Sequence, residues 1–297
     1  MISMPVAVCA GNFWMQLDLF WYQHKKIYGF NAPRKALALV INKNQPNDPK
    51  HTKLPWDIDV PYAMTDSCFD FLNIENIEER IIVPLNIQAG LIQVLQDFDD
   101  DEVIELLDCD MFHLKKHPQL QIKDELVVSD VYENWHLKSL TDHKWVIDPF
   151  LSQAHGKYNG GFVPIIGKAK TFKKIAIDWF QLHKKIFLST TSSDYRWWAG
   201  MYALQVACAN NHVKMRNEDL VYIPGYNQLQ PWHYISHYSC DTRFNKKIIK
   251  SLDDVNTDKF EDNEFYKAVT EWFQIRKTDG HFRVTTSQTS RSHSKPE

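Results

Sequence analysis

The chain has 297 residues, of which 44% are hydrophobic and 13% aromatic, enough for the core of one large α/β domain. Its 34 basic and 37 acidic residues give a net charge of −3, without the basic excess that is typical of nucleic-acid-binding proteins. The five cysteines form no CxxC pair, which favours reduced thiols and a cytoplasmic location over a disulfide-stabilised secreted protein.

Strand-like and helix-like segments alternate along the N-terminal part of the chain. An apolar strand at 5–10 is followed by Gly11-Asn12, and a polar, proline-rich loop covers 43–61. Further strands are predicted at 35–42, 80–83 and 103–107, and helices at 13–24 and 87–96. This alternation predicts a Rossmann-type, mostly parallel central sheet flanked by helices, which is an α/β fold.

The remainder of the chain continues the pattern with longer helices. Strands are predicted at 125–129, at 144–148 and at 220–223, and a further strand directly follows Gly160-Gly161. Helices are predicted at 172–187, 196–210 and 264–276. No segment has the length and apolar character of a membrane span, and the Ser- and Thr-rich residues 285–297 predict a disordered tail. We therefore expect one domain over 1–245, with a helical extension of the same domain at 246–284.

The stretch 103–110, with the sequence VIELLDCD, ends an apolar strand on two carboxylates, Asp108 and Asp110. Such a pair suits Mn²⁺ or Mg²⁺ bound together with substrate phosphates. The carboxyl end of a parallel strand is also where open α/β sheets bind ligands. The simpler interpretation is a solvated turn, because Asp-x-Asp is common in loops.

A divalent ion needs a further ligand, and the segment 232–240 offers two histidines. His237 is the first candidate, and His233 competes because a period of two places both on one face of a strand. Either can instead be a half-buried histidine bonded to the backbone. His113 and His117 lie closer in sequence, but they surround a Lys-Lys pair that is typical of a solvated turn.

Two further segments allow both a structural and a functional interpretation. The glycines of Asn159-Gly160-Gly161 permit a tight turn, and they would also let a sugar or phosphate approach the backbone closely. Asp194 starts a predicted helix, where it would serve as an N-cap or as a general base. Trp197 and Trp198 would accordingly be partly buried core residues or a surface on which sugars stack.

Taken in order, these parts resemble the GT-A family of nucleotide-sugar glycosyltransferases. The matching positions are Ala10-Gly11-Asn12 at the first strand end, Arg80 and Asn86 before a helix, Asp108-Cys109-Asp110, Asn159-Gly160-Gly161 and His237-Tyr238. Over roughly residues 5–245 the chain is similar in particular to plant and algal peptidyl hydroxyproline or serine glycosyltransferases. It departs from them in having no signal anchor, which fits a cytoplasmic enzyme of the kind that large algal viruses encode.

The resemblance implies a glycosyltransferase that moves a sugar, from a UDP-sugar in preference, to a glycan or glycoprotein hydroxyl. The nucleotide-sugar donor would be bound by Ala10, Gly11, Asn12, Arg80, Asn86, Asp108, Asn159, Gly160 and Gly161. The resemblance also implies Mn²⁺ or Mg²⁺ held by Asp108, Asp110 and His237, and an acceptor lying over Trp197 and Trp198. Asp194 would deprotonate the acceptor in an inverting reaction and would be structural or sugar-binding in a retaining one.

Two other classes of function stay open from the sequence. A catalytically inactive glycan-binding protein on the same fold would also account for the high aromatic content. A metal-dependent phosphohydrolase would use the same two aspartates, but it needs additional carboxylates or histidines near other strand ends. Asp130 and Asp148 are the candidates for that role.

Overall fold

Two β-sheets and five α-helices make up the part of the chain that the computed structural model describes. That part comprises residues 2–6, 10–29, 79–108, 110–129, 162–189, 193–238, 241, 243–244 and 255–278. The predicted strands at 35–42 and 144–148, the 43–61 loop and the 285–297 tail lie outside these residues, and the domain boundaries at 245 and 284 stay predictions.

A five-stranded sheet forms the centre of the fold, with the strand order β1-β2-β5-β4-β6. Its strands are β1 (Ile2–Val6), β2 (Val103–Asp108), β4 (Glu125–Ser129), β5 (Phe162–Lys168) and β6 (Lys214–Glu218). β1 is parallel to β2 and β6 is parallel to β4, whereas β5 lies antiparallel between β2 and β4. The strands at 103–107, at 125–129 and after Gly161 are thereby confirmed.

The sheet is mostly parallel, as predicted, because β1, β2, β4 and β6 run in one direction and only β5 opposes them. The α/β class is confirmed. An apolar run shows that both faces of a strand are covered, but it carries no information on the direction of the neighbouring strands. The sequence therefore identified β5 as a strand but could not predict its orientation.

A second, smaller sheet holds three short strands in the order β3-β8-β7. They are β3 (Met111–His113), β7 (Val221–Tyr222) and β8 (Ile235–His237). β8 is antiparallel to β3 and parallel to β7. This sheet places the residues that follow β2 beside a segment from much later in the chain.

The helices pack around the sheets and against one another. They are α1 (Ala10–Tyr28), α2 (Glu79–Leu95), α3 (Ala169–Leu188), α4 (Ser193–Asn210) and α5 (Glu264–Thr278), with a 3-10 turn at Thr257–Lys259. α3 lies between α2 and α4 and buries Phe172, Ile175 and Trp179 along one face. Among the helices described here, none is both long enough and apolar enough to cross a bilayer.

Two boundaries near the N-terminus differ from the prediction. The expected strand at 80–83 is wrong, because the chain is helical from Glu79 onwards. Ile81-Ile82-Val83 has strand propensity, but α2 buries Leu85 and Leu91 and packs against α3, and tertiary packing overrides local preference. The first strand ends at Val6 and α1 begins at Ala10, so the shift there amounts to a few residues.

The C-terminal helix α5 packs against α1 through buried polar contacts. The Trp272 indole N–H donates to Asp18 Oδ2 at 2.8 Å, and the Arg276 guanidinium pairs with the same carboxylate. Nearer the solvent, Tyr22 donates to Glu271 at 2.9 Å. The first and last helices of the described chain are thus held together directly.

Candidate metal centre

The carboxyl end of β2 supplies the first two residues of the site. Asp108 is the last residue of β2 and is half-buried, whereas Asp110 is fully buried in the turn that leads into β3. Within this turn the Asp108 backbone N–H donates to Met111 Sδ at 3.3 Å. The side chain of Asp110 is therefore buried at the point where the central sheet gives way to the smaller one.

β8 brings His237 to the same place. Met111 and His237 are partners in the antiparallel β3–β8 ladder, and Asp110 lies directly before Met111. His237 Nε2 is 3.1 Å from Asp110 Oδ1, although the two residues are 127 positions apart in the sequence. One ligand atom each from Asp108, Asp110 and His237 lies within 4.8 Å of the others. We call these three residues the Asp-Asp-His cluster.

His233, the competing histidine, lies outside the cluster. It precedes β8 rather than forming part of it, and both of its ring nitrogens are occupied. Its Nδ1 accepts from the Gln230 backbone N–H at 3.1 Å, and its Nε2 lies 2.8 Å from Asp219 Oδ1. The strand alternation that placed His233 beside His237 does not apply, because the strand begins only at Ile235.

A buried acid that the sequence analysis passed over lies on β2, three residues before Asp108. Glu105 is fully buried and accepts hydrogen bonds from Ser3 Oγ and Tyr234 Oη, each at 2.6 Å. His113 Nε2 lies 2.8 Å from its Oε2. Burial alone would raise the pKa of Glu105, but the charge of His113 and the hydrogen bonds from His113 and Ser3 outweigh it and lower the pKa to about 2.

Aromatic rings enclose this arrangement, which we call the Glu105 network (Glu105, His113, Tyr234 and Ser3). The His113 ring lies 5.5 Å from Phe20, 5.6 Å from His24 and 6.1 Å from Tyr234 between ring centroids. Burial, together with the nearby His113, lowers the pKa of His24 to about 4. The predicted solvated turn is wrong for His113, whose side chain is fully buried. The sequence contained one signal for this network, which is the single acidic residue Glu105 within the otherwise apolar run 103–107.

The residues expected to bind the nucleotide lie in helices. Ala10, Gly11 and Asn12 form the first turn of α1, Arg80 is the second residue of α2, and Asn86 lies in its interior. The prediction that Arg80 and Asn86 precede the helix is therefore wrong. Val6, at the end of β1, pairs with Asp108, so β1 ends beside the Asp-Asp-His cluster. The side chains of all five residues lie outside the described part of the structure.

The residues expected to contact the sugar and the acceptor are only partly described. Asn159, Gly160 and Gly161 lie outside the described residues. The backbone of Asp194 and Trp197 forms the first turns of α4, but the side chains of these two residues are not described. Trp198 is half-buried and packs against the hydrophobic core. Trp232 is the most exposed tryptophan among the described side chains, at 55% of its surface. Its indole N–H donates to Asp219 at 2.6 Å, which fixes the ring.

No protein-family model matches the chain, and no curated protein matches it. Among solved structures, the chain is similar to the galactosyltransferase LgtC in complex with donor and acceptor sugar analogues. The TM-score is 0.53 at 12% sequence identity, over 93% of this chain and 96% of that one. The chain has a GT-A-type α/β fold. An active-site mutant of LgtC is also similar, with a TM-score of 0.48 and 11% identity over 80% of this chain and 87% of that one.

This fold is the one that the sequence resemblance implied. The identity to LgtC is low, so the similarity establishes the arrangement of the chain and not its chemistry. The narrower resemblance to plant and algal peptidyl glycosyltransferases stays a prediction. The chemistry has to be argued from the Asp-Asp-His cluster itself.

Proposed function

We propose that the protein is a metal-dependent glycosyltransferase that uses a nucleoside-diphosphate sugar, preferably a UDP-sugar, and a hydroxyl of a glycan or glycoprotein. One observation carries this proposal: on a GT-A-type fold, the chain brings Asp108, Asp110 and His237 to within 4.8 Å at the end of β2. Ligands of open α/β sheets bind at the carboxyl ends of strands, which is where these residues lie.

The three side chains fit a divalent cation. Two carboxylates and one imidazole suit Mn²⁺, and the carboxylates alone suit Mg²⁺. A buried carboxylate such as Asp110 is costly unless a positive charge compensates it, and a cation bound beside His237 would supply that charge. A metal held there would act as a Lewis acid that stabilises the leaving nucleoside diphosphate.

The protein's own residues divide the remaining tasks. Asp110 and His237 are buried and fixed by the β3–β8 ladder, so they would orient the site. Asp108 is half-buried and would face the substrate. We propose that the first turns of α1, with Ala10, Gly11 and Asn12, contact the donor, because β1 ends beside Asp108 and helix N-termini favour anions. Arg80 and Asn86, both on α2, keep a proposed role in binding the donor.

On the acceptor side, Asn159, Gly160 and Gly161 would border the donor sugar, and Trp197 and Trp198 would contact the acceptor. Asp194 is the proposed base for an inverting reaction, since the acceptor hydroxyl must then lose its proton to a carboxylate. In a retaining reaction Asp194 would be structural or would bind the sugar. Trp232, which is exposed and held by Asp219, is a second aromatic surface on which a sugar could stack.

A thermal-shift panel tests the proposal. UDP, GDP, CMP and ADP are each added with and without Mn²⁺, and we expect one diphosphate to raise the Tm by a few degrees only when the metal is present. Asp110→Asn keeps the shape of the buried side chain but weakens the metal site, so it should fold and lose the shift. Asp178→Asn, at an exposed position that contacts Asn211, is the control and should retain the shift.

The same panel separates the alternatives. If no nucleotide raises the Tm of the unmodified protein under any condition, a glycan-binding role replaces the transferase proposal. Release of inorganic phosphate from a diphosphate with Mn²⁺ would instead favour the phosphohydrolase, although its additional candidates Asp130 and Asp148 lie outside the described residues.

A further inference from the structure

Each residue of the Asp-Asp-His cluster lies three positions along the chain from a residue of the Glu105 network. The pairs are Asp108 with Glu105, Asp110 with His113, and His237 with Tyr234. The three pairs lie on or directly beside three different strands, β2, β3 and β8. The network therefore joins the same three chain segments that carry the candidate metal ligands.

We propose that Glu105 is a positioning residue that sets the geometry of the Asp-Asp-His cluster through His113 and Tyr234. This inference rests on the proposed function, because it concerns how the same site is held in shape. Glu105 itself does not belong to the cluster, since its two carboxylate oxygens are bonded to Ser3, His113 and Tyr234. Its effect on a bound cation would be transmitted along the strands.

The short length of β3 and β8 explains why such support is needed. Each has only three residues, and both belong to the smaller sheet, so no strand ladder among the described residues joins them to β2. Glu105 adds a hydrogen bond from Tyr234 at 2.6 Å and a contact with His113 at 2.8 Å, both inside the core. Hydrogen bonds to a charged group are about twice as strong as neutral ones. A network residue three positions away is only about 10 Å from its cluster residue along an extended strand.

Stability alone does not account for the network. A buried carboxylate paired with histidine is costly to desolvate, and apolar residues of similar volume often serve a core equally well. Leu107, two positions further along β2 and therefore on the same face as Glu105, is fully buried, so an apolar residue fits on this face. The polar bonds of Glu105 add direction, which apolar packing lacks, and direction is what the placement of metal ligands requires.

The test compares metal affinity between matched variants. Glu105→Gln weakens the contact with His113, and Tyr234→Phe removes one hydroxyl while keeping the ring. Tyr22→Phe is the matched control, because it also deletes a tyrosine hydroxyl bonded to a glutamate, but on the α1–α5 contact. Tyr22 lies twelve residues beyond the start of α1, about 18 Å along the helix.

Binding of Mn²⁺ to the full chain is measured by electron paramagnetic resonance of the free ion, at a temperature where circular dichroism shows every variant folded. We expect Glu105→Gln to weaken binding about 10-fold, the lower end of the range for groups that orient metal ligands. Tyr234→Phe should weaken it in the same direction, whereas Tyr22→Phe should leave the Kd unchanged even where its Tm falls. If Glu105→Gln does not fold, Tyr234→Phe decides the outcome.

Two results would overturn the inference, and only the second would also remove the metal site of the proposed function. Equal Kd values for the unmodified protein, Glu105→Gln and Tyr234→Phe would leave the metal site in place and make the network purely structural. Absence of Mn²⁺ binding by the unmodified protein would remove the metal site of the proposed function together with the inference.

Discussion

Asp108 is half-buried, whereas Asp110 and His237 are buried, so the three candidate ligands have different surroundings. The two buried side chains would hold a cation from the protein side, and Asp108 would share it with the substrate. Imidazole is a suitable ligand for Mn²⁺, whereas Mg²⁺ prefers oxygen ligands. His237 should therefore contribute more to the affinity for Mn²⁺ than to that for Mg²⁺.

Substitution of the two histidines should separate their roles. His237→Gln removes a ligand and should weaken Mn²⁺ binding at least 10-fold, with a smaller loss for Mg²⁺. His233→Gln, four positions earlier in the sequence and outside the cluster, breaks the contact with Asp219 and should leave both affinities unchanged. The measurement is a calorimetric titration of each variant. A loss for His233→Gln equal to that for His237→Gln would contradict this assignment.

His183 makes a prediction about pH and stability. It is fully buried between helices with Nδ1 3.1 Å from Gln88 Oε1, and burial lowers its pKa from 6.5 to about 3. The unfolded chain binds this proton more tightly, so the free energy of unfolding falls as the pH drops from about 6.5 towards 3. Between pH 7 and pH 5 this group alone should cost about 2 kcal/mol.

Urea denaturation at pH 7 and pH 5 measures that cost. His183→Gln should be less stable than the unmodified protein at pH 7, but its stability should fall less between the two pH values. The remaining fall has a second source in His24, whose pKa is lowered to about 4. An unaltered pH dependence in His183→Gln would show that the group is not neutral in the folded state.

Among single residues, the sequence singled out the members of the Asp-Asp-His cluster but missed the residues of the Glu105 network. Asp108 and Asp110 stand out because two carboxylates follow an apolar strand, and His237 stands out in a late aromatic segment. The choice between His237 and His233 depended on where β8 begins, which a three-residue strand does not reveal. Glu105 was missed because its partners Ser3, His113 and Tyr234 come from three distant segments.

At the scale of elements, the contact between α1 and α5 depends on one buried carboxylate. Asp18 is 4% exposed and accepts from Trp272 and from Arg276, so its removal would delete both of these contacts from the interior at once. Asp18→Ala should lower the free energy of unfolding by about 3 kcal/mol, as expected for breaking a buried ion pair. Denaturation in urea gives this value directly.

The control lies on α5, the helix that supplies the partners of Asp18. Lys267 pairs with Asp262 at the surface, and Lys267→Ala should leave the stability nearly unchanged because solvent screens exposed pairs. If both variants lost equal stability, the effect would come from the helix as a whole and not from the buried carboxylate. If Asp18→Ala were as stable as the unmodified protein, the α1–α5 contact would not contribute to the fold.

Elements were predictable where their periodicity was strong. The burial stripe of α3 and the apolar runs of β2, β4 and β5 were found from the sequence within a few residues. The helix at segment 80–83 was not predicted, because its β-branched residues favour strands but also occur in helices that pack on both sides. The orientation of β5 depends on its neighbours in the sheet, which no local pattern encodes.

For the whole molecule, the fold is shared with LgtC at 12% identity over 93% of the chain. Such similarity is possible because a fold constrains which positions are buried more than which residues fill them. The class of fold was therefore predictable from the order of its parts, whereas the orientation of β5 was not.

The contact between Asp18 and Arg276 joins residues that are 258 positions apart. A ribosome adds residues in order, so α1 leaves it long before its partner helix exists. Until residue 276 has emerged, a growing chain carries the Asp18 carboxylate and the apolar face of α1 without their final cover. His237 likewise follows Asp110 by 127 positions, so a nascent chain has the complete Asp-Asp-His cluster only after residue 237 has emerged.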